Sequence, residues 1–254
     1  MDQMSDNLAA DRQALASLID EASRVVVFTG AGISTECGIP DFRSPGGIWS
    51  QLKPIDFAEF MASTQVRQEA WRRKFKLDDE FADAKPGRGH KAIAHLIGTD
   101  KISHIVTQNI DNLHQASGVP RERIIELHGN STYAQCLECT TRYELEWVRA
   151  QFEPEEQPPN CQKCGGVIKS ATISFGQSMP QAEMARAHEA TLEADLFLAI
   201  GSSLVVYPAA GFPSLAKQHG AKLVILNREP TRLDEIADLV IHADIGTILA
   251  PLGP

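Results

Sequence analysis

Six short apolar runs, rich in β-branched residues, punctuate the chain at 24–28, 102–106, 123–127, 195–200, 222–226 and 238–241. Near-continuous hydrophobicity over so few residues predicts strands buried on both faces, as in a parallel sheet. Between several of them the pattern shifts to a helical period, for example over 181–193 and 208–219. That alternation is the signature of an α/β fold with helices on both faces of the sheet. It breaks twice. The stretch 48–85 is charged and helix-favouring and ends at Pro86-Gly87, and the stretch 131–170 carries four cysteines. Both read as insertions that form a smaller domain beside the sheet, leaving 1–47, 86–130 and 171–254 to the larger one. No internal repeat or low-complexity tract is evident.

With 254 residues, 43% of them hydrophobic and 22% charged, the chain is long enough for one large core and a small satellite. No apolar stretch approaches the roughly 20 residues that span a bilayer, so no membrane contact is expected. The first twenty residues carry Asp2, Asp6, Asp11 and Asp20 and lack both a basic and an apolar leader region, which predicts a cytoplasmic protein. A formal charge of −9 weighs against direct nucleic-acid binding, which needs basic surface; a cationic peptide suits it better.

Four of the five cysteines fall in two pairs, Cys136-Leu-Glu-Cys139 and Cys161-Gln-Lys-Cys164, separated by 21 residues. Two CxxC pairs beside Gly165-Gly166 read as a zinc ribbon rather than as redox pairs. Four thiolates close the tetrahedron around Zn²⁺ and leave no place for water, so the metal is expected to be structural. Cys37 reads as a packed thiol.

The first apolar run, Val25-Val26-Val27, opens onto Gly30-Ala31-Gly32, as strands do before a phosphate-binding turn. A hydride-transferring dinucleotide fold needs a third glycine where Thr35 stands and an acid about twenty residues on. Here that region reads Ile48-Trp49-Ser50-Gln51-Leu52. Ligands of open α/β sheets gather beyond the carboxyl ends of the strands. The residues leaving the predicted strands are small or polar at five exits: Thr29 to Gly32, Thr107 to Asp111, His128 to Asn130, Gly201 to Ser203, and Asn227 to Glu229. Together they outline one site. Of the eight histidines, only His128 leaves an apolar strand directly into a glycine, and a near-neutral pKa suits imidazole to general-base work. The other seven read as surface or satisfied core residues.

GAGIS, GIPDFR, TQNID, LHG, the paired CxxC and GSS, in that order and spanning about residues 24 to 248, resemble the sirtuin family of NAD-consuming protein lysine deacylases. The resemblance implies a Rossmann-like sheet that holds NAD, with a zinc-ribbon and helical small domain. It assigns Gly30, Ala31 and Gly32 to the pyrophosphate. Ile39, Asp41, Phe42 and Arg43 form a mobile loop over nicotinamide, with Phe42 shielding the reactive ribose. Gln108, Asn109 and Asp111 lie at the nicotinamide end, Asn109 orienting the ribose and a water. Gly201, Ser202, Ser203 and Asn227 contact phosphate and ribose, and Ile245 flanks the adenine. Asp41 also reads as a loop cap, and Asn109 or Asp111 as the start of a helix over 112–116.

In such enzymes the acyl oxygen of the modified lysine attacks C1′ of the nicotinamide ribose, and His128 occupies the position of the base that deprotonates a ribose hydroxyl. The peptide is expected as an added strand between 173–176 and 204–207, with Ile173, Phe175, Gly176 and Val206 in contact. Here the chain departs from the family pattern. It has Lys169-Ser170-Ala171 where a proline is common, and Phe175-Gly176-Gln177 in place of FGE. The Tyr-and-Arg pair that marks family members preferring an acyl chain with a second carboxylate is not apparent at 70–75, so a neutral acyl chain is expected. Two other functions stay open at this point: mono-ADP-ribosyl transfer from the same site, and a non-catalytic zinc-ribbon module that senses NAD.

Overall fold

A computed structural model describes residues 3–253; residues 1, 2 and 254, which the expected large domain includes, lie outside the described residues. The strands in chain order are β1 (Val25–Thr29), β2 (Ile102–Thr107), β3 (Ile124–Glu126), β4 (Gly129–Cys136), β5 (Arg142–Glu144), β6 (Ile168–Thr172), β7 (Leu196–Ile200), β8 (Lys222–Leu226) and β9 (Leu239–Ile241). All six predicted runs enter one parallel sheet in the order β3-β2-β1-β7-β8-β9. Counting only these six, the order is 3-2-1-4-5-6, and its two halves diverge from the β1–β7 pair. That divergence opens a crevice above their carboxyl ends.

The unbroken hydrophobicity of the central strands follows from burial on both faces. Val25, Val27, Ile105 and Leu198 pack on one side against Leu15 and Ile19 of the helix Gln3–Glu21, Ile93 and Ile97 of Arg88–Gly98, and Ile248. Their neighbours Val26, Phe28, Val106 and Phe197 point the other way, onto Ala187 and Ala190 of the helix Gln181–Glu193 and Phe212 and Ala216 of Phe212–Gln218. Strand periodicity of two therefore supplies both cores. The helix expected over 208–219 is shorter: a 3-10 turn, Ala209–Gly211, precedes Phe212–Gln218. Pro213 has no N–H to give to a helix interior and stands instead at the first turn.

The remaining strands form a small antiparallel sheet, β5-β4-β6. Its core joins the two stretches where the α/β pattern breaks. Trp71 and Phe75 of the helix Thr64–Glu80 pack with Ala134, Tyr143, Val148, Phe152 and Ile168. The Arg149 guanidinium also grips Asp79 through two bonds of 2.6 and 2.7 Å, but both groups are exposed and the apolar contact dominates. Among the described residues no helix is long and apolar enough to cross a membrane.

Candidate active site

Where β1 and β7 end, the chain is drawn tight. The Gly30 amide donates to the Ile200 carbonyl at 3.0 Å and the Gly32 amide to the Gly201 carbonyl at 2.8 Å. A Cβ on Gly30 would lie 2.7 Å from the Gly201 oxygen, and one on Gly32 2.7 Å from the Gly201 Cα. The glycines are thus required by the approach of two strand exits. Their amides are engaged inside the fold, which leaves the turn fewer donors for a ligand than the motif alone suggests.

A cleft of 780 Å³ lies over this junction. All five predicted exits contribute to it: Gly30 to Gly32, Gln108 to Ile110, His128, Gly201 to Ser203, and Asn227 to Glu229. So do Asp41, Phe42 and Arg43 of the following loop, Ile245, and Ile173, Phe175, Gly176 and Val206 of the expected peptide flanks. Two predicted residues do not line it, Ile39 and Asp111. Asp111 sits beneath the wall, where Oδ2 accepts from the Ser34 hydroxyl at 2.7 Å and Oδ1 from the Leu113 amide at 2.9 Å. It therefore closes a turn just ahead of the helix Leu113–Ala116, whose N-cap is Asn112. Ile39 is tied by its amide to the Ser34 carbonyl at 3.4 Å.

His128 is fixed by one bond. Its Nδ1 donates to the Gln108 carbonyl at 3.0 Å, so Nε2 carries the free lone pair. Burial pushes its pKa below the ordinary 6.5, the Gln108 carbonyl opposes this, and the Arg43 charge adds to the lowering. The ring is neutral at physiological pH and ready to take a proton. Gln108 is itself held by its side-chain amide, which donates to the Ser202 hydroxyl at 2.8 Å.

The loop over the cleft is organised by Asp41. Its Oδ1 accepts from the Arg43 and Ser44 amides at 2.9 and 2.8 Å, and its Oδ2 from the Ser44 hydroxyl at 2.6 Å. Burial disfavours its charge, but the Ser44 and Arg43 donors outweigh that and hold the carboxyl below the usual range. At the far end, the Asn227 side chain donates to the Glu229 carbonyl at 2.7 Å and shapes the turn after β8.

Both expected peptide flanks contribute to the cleft, but neither is a strand. β6 stops at Thr172, and Ser174 folds into a turn with Gln177: its amide donates to Gln177 Oε1 at 3.1 Å and its carbonyl accepts the Gln177 amide at 3.0 Å. The Phe175 carbonyl accepts from the Phe57 amide at 2.8 Å. On the other flank Leu204 has φ +54, outside the extended range. These engaged groups shorten the ladder that an added strand could form.

Away from the cleft, the four paired cysteines converge, with all Sγ atoms within 4.8 Å of one another. Cys136 meets Cys164 at 3.5 Å and Cys139 meets Cys161 at 3.5 Å, across the two motifs. Sulfurs 2.3 Å from a tetrahedral Zn²⁺ stand about 3.8 Å apart, so the set fits the metal. Hydroxyls of Tyr143, 3.1 Å from Cys161 Sγ, and Thr141, 3.2 Å from Cys139 Sγ, supply the outer support that thiolate ligands need.

The sequence and the fold have counterparts among known proteins. The model of the Sir2 family matches residues 30–208. A protein of Rhodopseudomonas palustris named NAD-dependent protein deacetylase is 57% identical over 98% of this chain and 98% of its own. NAD-dependent protein deacetylase 1 of Bradyrhizobium diazoefficiens is 56% identical over 98% and 97%. The chain belongs to the Sir2 family. A solved structure described as Sir2 with p53 peptide and NAD+ superposes on this Sir2-family chain with a TM-score of 0.83, at 36% identity over 94% of this chain and 96% of that one. Another, Sir2Tm bound to a propionylated peptide, gives 0.84 at 34% identity, again over 94% and 96%.

Three residues of this Sir2-family site escaped the sequence reading. Ser34, buried, joins Asp111 to Asn109, whose Nδ2 donates to its hydroxyl at 3.3 Å. Its place four residues after Gly30 in GAGIS was the available signal. His90 and His114 are not satisfied core histidines: both are buried, with ring centroids 5.0 Å apart, and His90 Nε2 and His114 Nδ1 have no partner. His114 Nε2 bonds the Thr29 hydroxyl at 2.9 Å, and that hydroxyl donates to Thr107 at 2.8 Å. Burial, reinforced by His90, keeps the pKa of His114 far below its ordinary value.

Proposed function

We propose that the chain is an NAD-dependent protein lysine deacylase. It converts acyl-lysine, NAD and water into lysine, nicotinamide and O-acyl-ADP-ribose. The observation that carries this reading is His128: a neutral imidazole, oriented by Gln108, stands at a strand exit in a cleft that also holds the glycine turn and two apolar flanks. Its free Nε2 takes the proton of a ribose hydroxyl as that oxygen turns on the acyl carbon. NAD, when bound, supplies an ADP-ribosyl group on a good leaving group. Ala31, Gly32, Gly201, Ser202 and Ser203 receive its phosphates, with Gly30 fixing the turn. Asn227 and Ile245 receive its adenosine end. Phe42 and Arg43 cover the nicotinamide end, with Asp41 and Ile39 holding that loop in shape. Asn109 orients the ribose, and Asp111 acts on it through Ser34.

The relatives carry the same activity in their names, and the apolar flanks suit a neutral acyl-lysine segment of a protein. A structural Zn²⁺ on Cys136, Cys139, Cys161 and Cys164 braces the small domain. We assign 48–85 and 131–170 to that domain, and 1–47, 86–130 and 171–254 to the NAD-binding one. The shared core of Trp71 with Phe152 supports this division. A cytoplasmic location suits a chain whose five cysteines form no disulfide.

Incubation with NAD and an acetyl-lysine peptide tests the reading. Deacetylation that requires NAD supports it. An ADP-ribosylated protein with the acetyl group untouched overturns it in favour of transfer, and absence of turnover overturns catalysis altogether.

A further inference from the structure

The cofactor loop and the peptide flank are separate in sequence, yet one side chain touches both. Trp49 lies in the short helix Ile48–Gln51, which is mounted on the loop: the Ile48 amide donates to the Asp41 carbonyl at 2.8 Å and the Trp49 amide to the Phe42 carbonyl at 3.0 Å. Loop and helix therefore move as one piece. The indole lies 5.2 Å from the Phe42 ring, and the Arg43 guanidinium sits over it at 4.1 Å. Its other neighbour is Phe175, with centroids 5.3 Å apart.

Phe175 is anchored from behind. Its carbonyl accepts from the Phe57 amide at 2.8 Å, and Asp56 packs against the following Gly176. The residue, however, remains 45% exposed where it lines the cleft, beside the expected path of the peptide. Any ligand that fixes Phe175 thereby fixes one wall of the indole, and any ligand that fixes Phe42 and Arg43 fixes the opposite wall. Two ligands that order the same cluster each lower the cost of ordering it for the other.

We propose that Trp49 is a positioning residue that couples the two halves of the site, so that peptide seated on Phe175 tightens the cofactor loop over NAD and NAD tightens the peptide. This rests on the function proposed above and adds to it a mutual strengthening of the two ligands carried by one side chain. Offset aromatic pairs and a cation over an indole are contacts of modest strength, and their joint loss corresponds to a coupling factor of about tenfold. By linkage the factor is the same in both directions.

The test is calorimetry on the full chain with its zinc. An acetyl-lysine peptide is titrated with and without carba-NAD, which keeps its nicotinamide, and carba-NAD is titrated with and without the peptide. For the unaltered chain, each ligand is expected to strengthen the other by about tenfold. Trp49→Ala is expected to reduce that factor nearly to one while each ligand alone binds within about threefold of the original, and Trp49→Phe to restore most of it. Phe175→Ala, at an exposed position, should lose the same coupling, and the double variant should lose no more than either single one. Retention of the full factor in Trp49→Ala overturns the proposal, as does an equal weakening of both solitary ligands with the factor unchanged. If the unaltered chain binds each ligand alone without mutual strengthening, the coupling fails and the deacylase reading stands; if it binds neither, both fall.

Discussion

His128 and Gln108 form a tautomer lock: Nδ1 of the imidazole donates to the Gln108 carbonyl at 3.0 Å, and Nε2 is left as the only base the ring can offer. Burial and the Arg43 charge both favour the neutral ring. Activity is therefore expected to be carried by the unprotonated form, present above the pKa and lost as pH falls through a value below the ordinary 6.5. The acid limb of kcat/KM against pH measures it. Arg43→Gln should move that limb upward, because a cation that disfavours imidazolium is removed; a limb that moves downward contradicts the arrangement. His128→Ala should abolish deacylation and leave NAD binding in place.

Ser34 is expected to matter nearly as much without touching the acyl group. Its hydroxyl is the bond that holds Asp111 and the acceptor that holds Asn109. Ser34→Ala leaves a half-buried carboxylate oxygen unpartnered, at a cost of about 1 kcal/mol in stability. Loss of a hydrogen bond to a charged group should lower kcat/KM by about tenfold or more. Denaturant melts and initial rates on the same preparation check both figures. An active, equally stable Ser34→Ala protein would remove Ser34 from the account.

Most of the architecture was legible in the pattern of residues. Six buried strands announce themselves because a parallel strand covered on both faces has no polar position to confuse the reading, as Val25 to Phe28 show. The cysteine cluster was legible because metal ligation fixes residue type and spacing together. What stayed hidden is set by contacts between distant segments. No local pattern marks His114 as fully buried on Thr29, or Phe175 as bonded through its backbone to Phe57. The turn within one expected peptide flank was hidden for the same reason: nothing local shows that the Gln177 side chain accepts from the Ser174 amide. Glycines 30 and 32 suggested a phosphate cradle, and the fold shows that they serve first to let two strand exits meet.

Acid should destabilise the fold through its buried histidines. His114 is held neutral, with a pKa far below 6.5, while the unfolded chain titrates near that value. Below it the unfolded state binds a proton that the folded state refuses, so stability is constant above 6.5 in this respect and falls as pH drops toward the folded pKa. The slope approaches about 1.4 kcal/mol per pH unit for each such group. Urea midpoints between pH 7 and 5 measure it, and His114→Gln should flatten the dependence. An unchanged slope in that variant would show that other groups govern acid sensitivity.

Removal of zinc should unfold the small domain first. The four sulfurs share one centre, and Cys136, Cys161 and Tyr143 belong to the same core as Trp71 and Phe152. A strong chelator, or Cys161→Ala with Cys164→Ala, is expected to expose the tryptophans, lower the melting temperature and reduce activity indirectly. Hydrogen exchange resolves the sequence of events: protection should be lost at β4 to β6 before the parallel sheet. Retained protection there would contradict a structural role for the metal.

The central claim is that a sugar-to-pyridine bond is broken here and the dinucleotide is consumed. The most direct measurement is a mass balance of one reaction, with NAD and an acetyl-lysine peptide supplied and products separated by chromatography and mass spectrometry. Nicotinamide, deacetylated peptide and O-acetyl-ADP-ribose should appear in equal amounts and at one rate. Deacetylation without nicotinamide release, or growth of the dihydronicotinamide absorbance, would contradict the account.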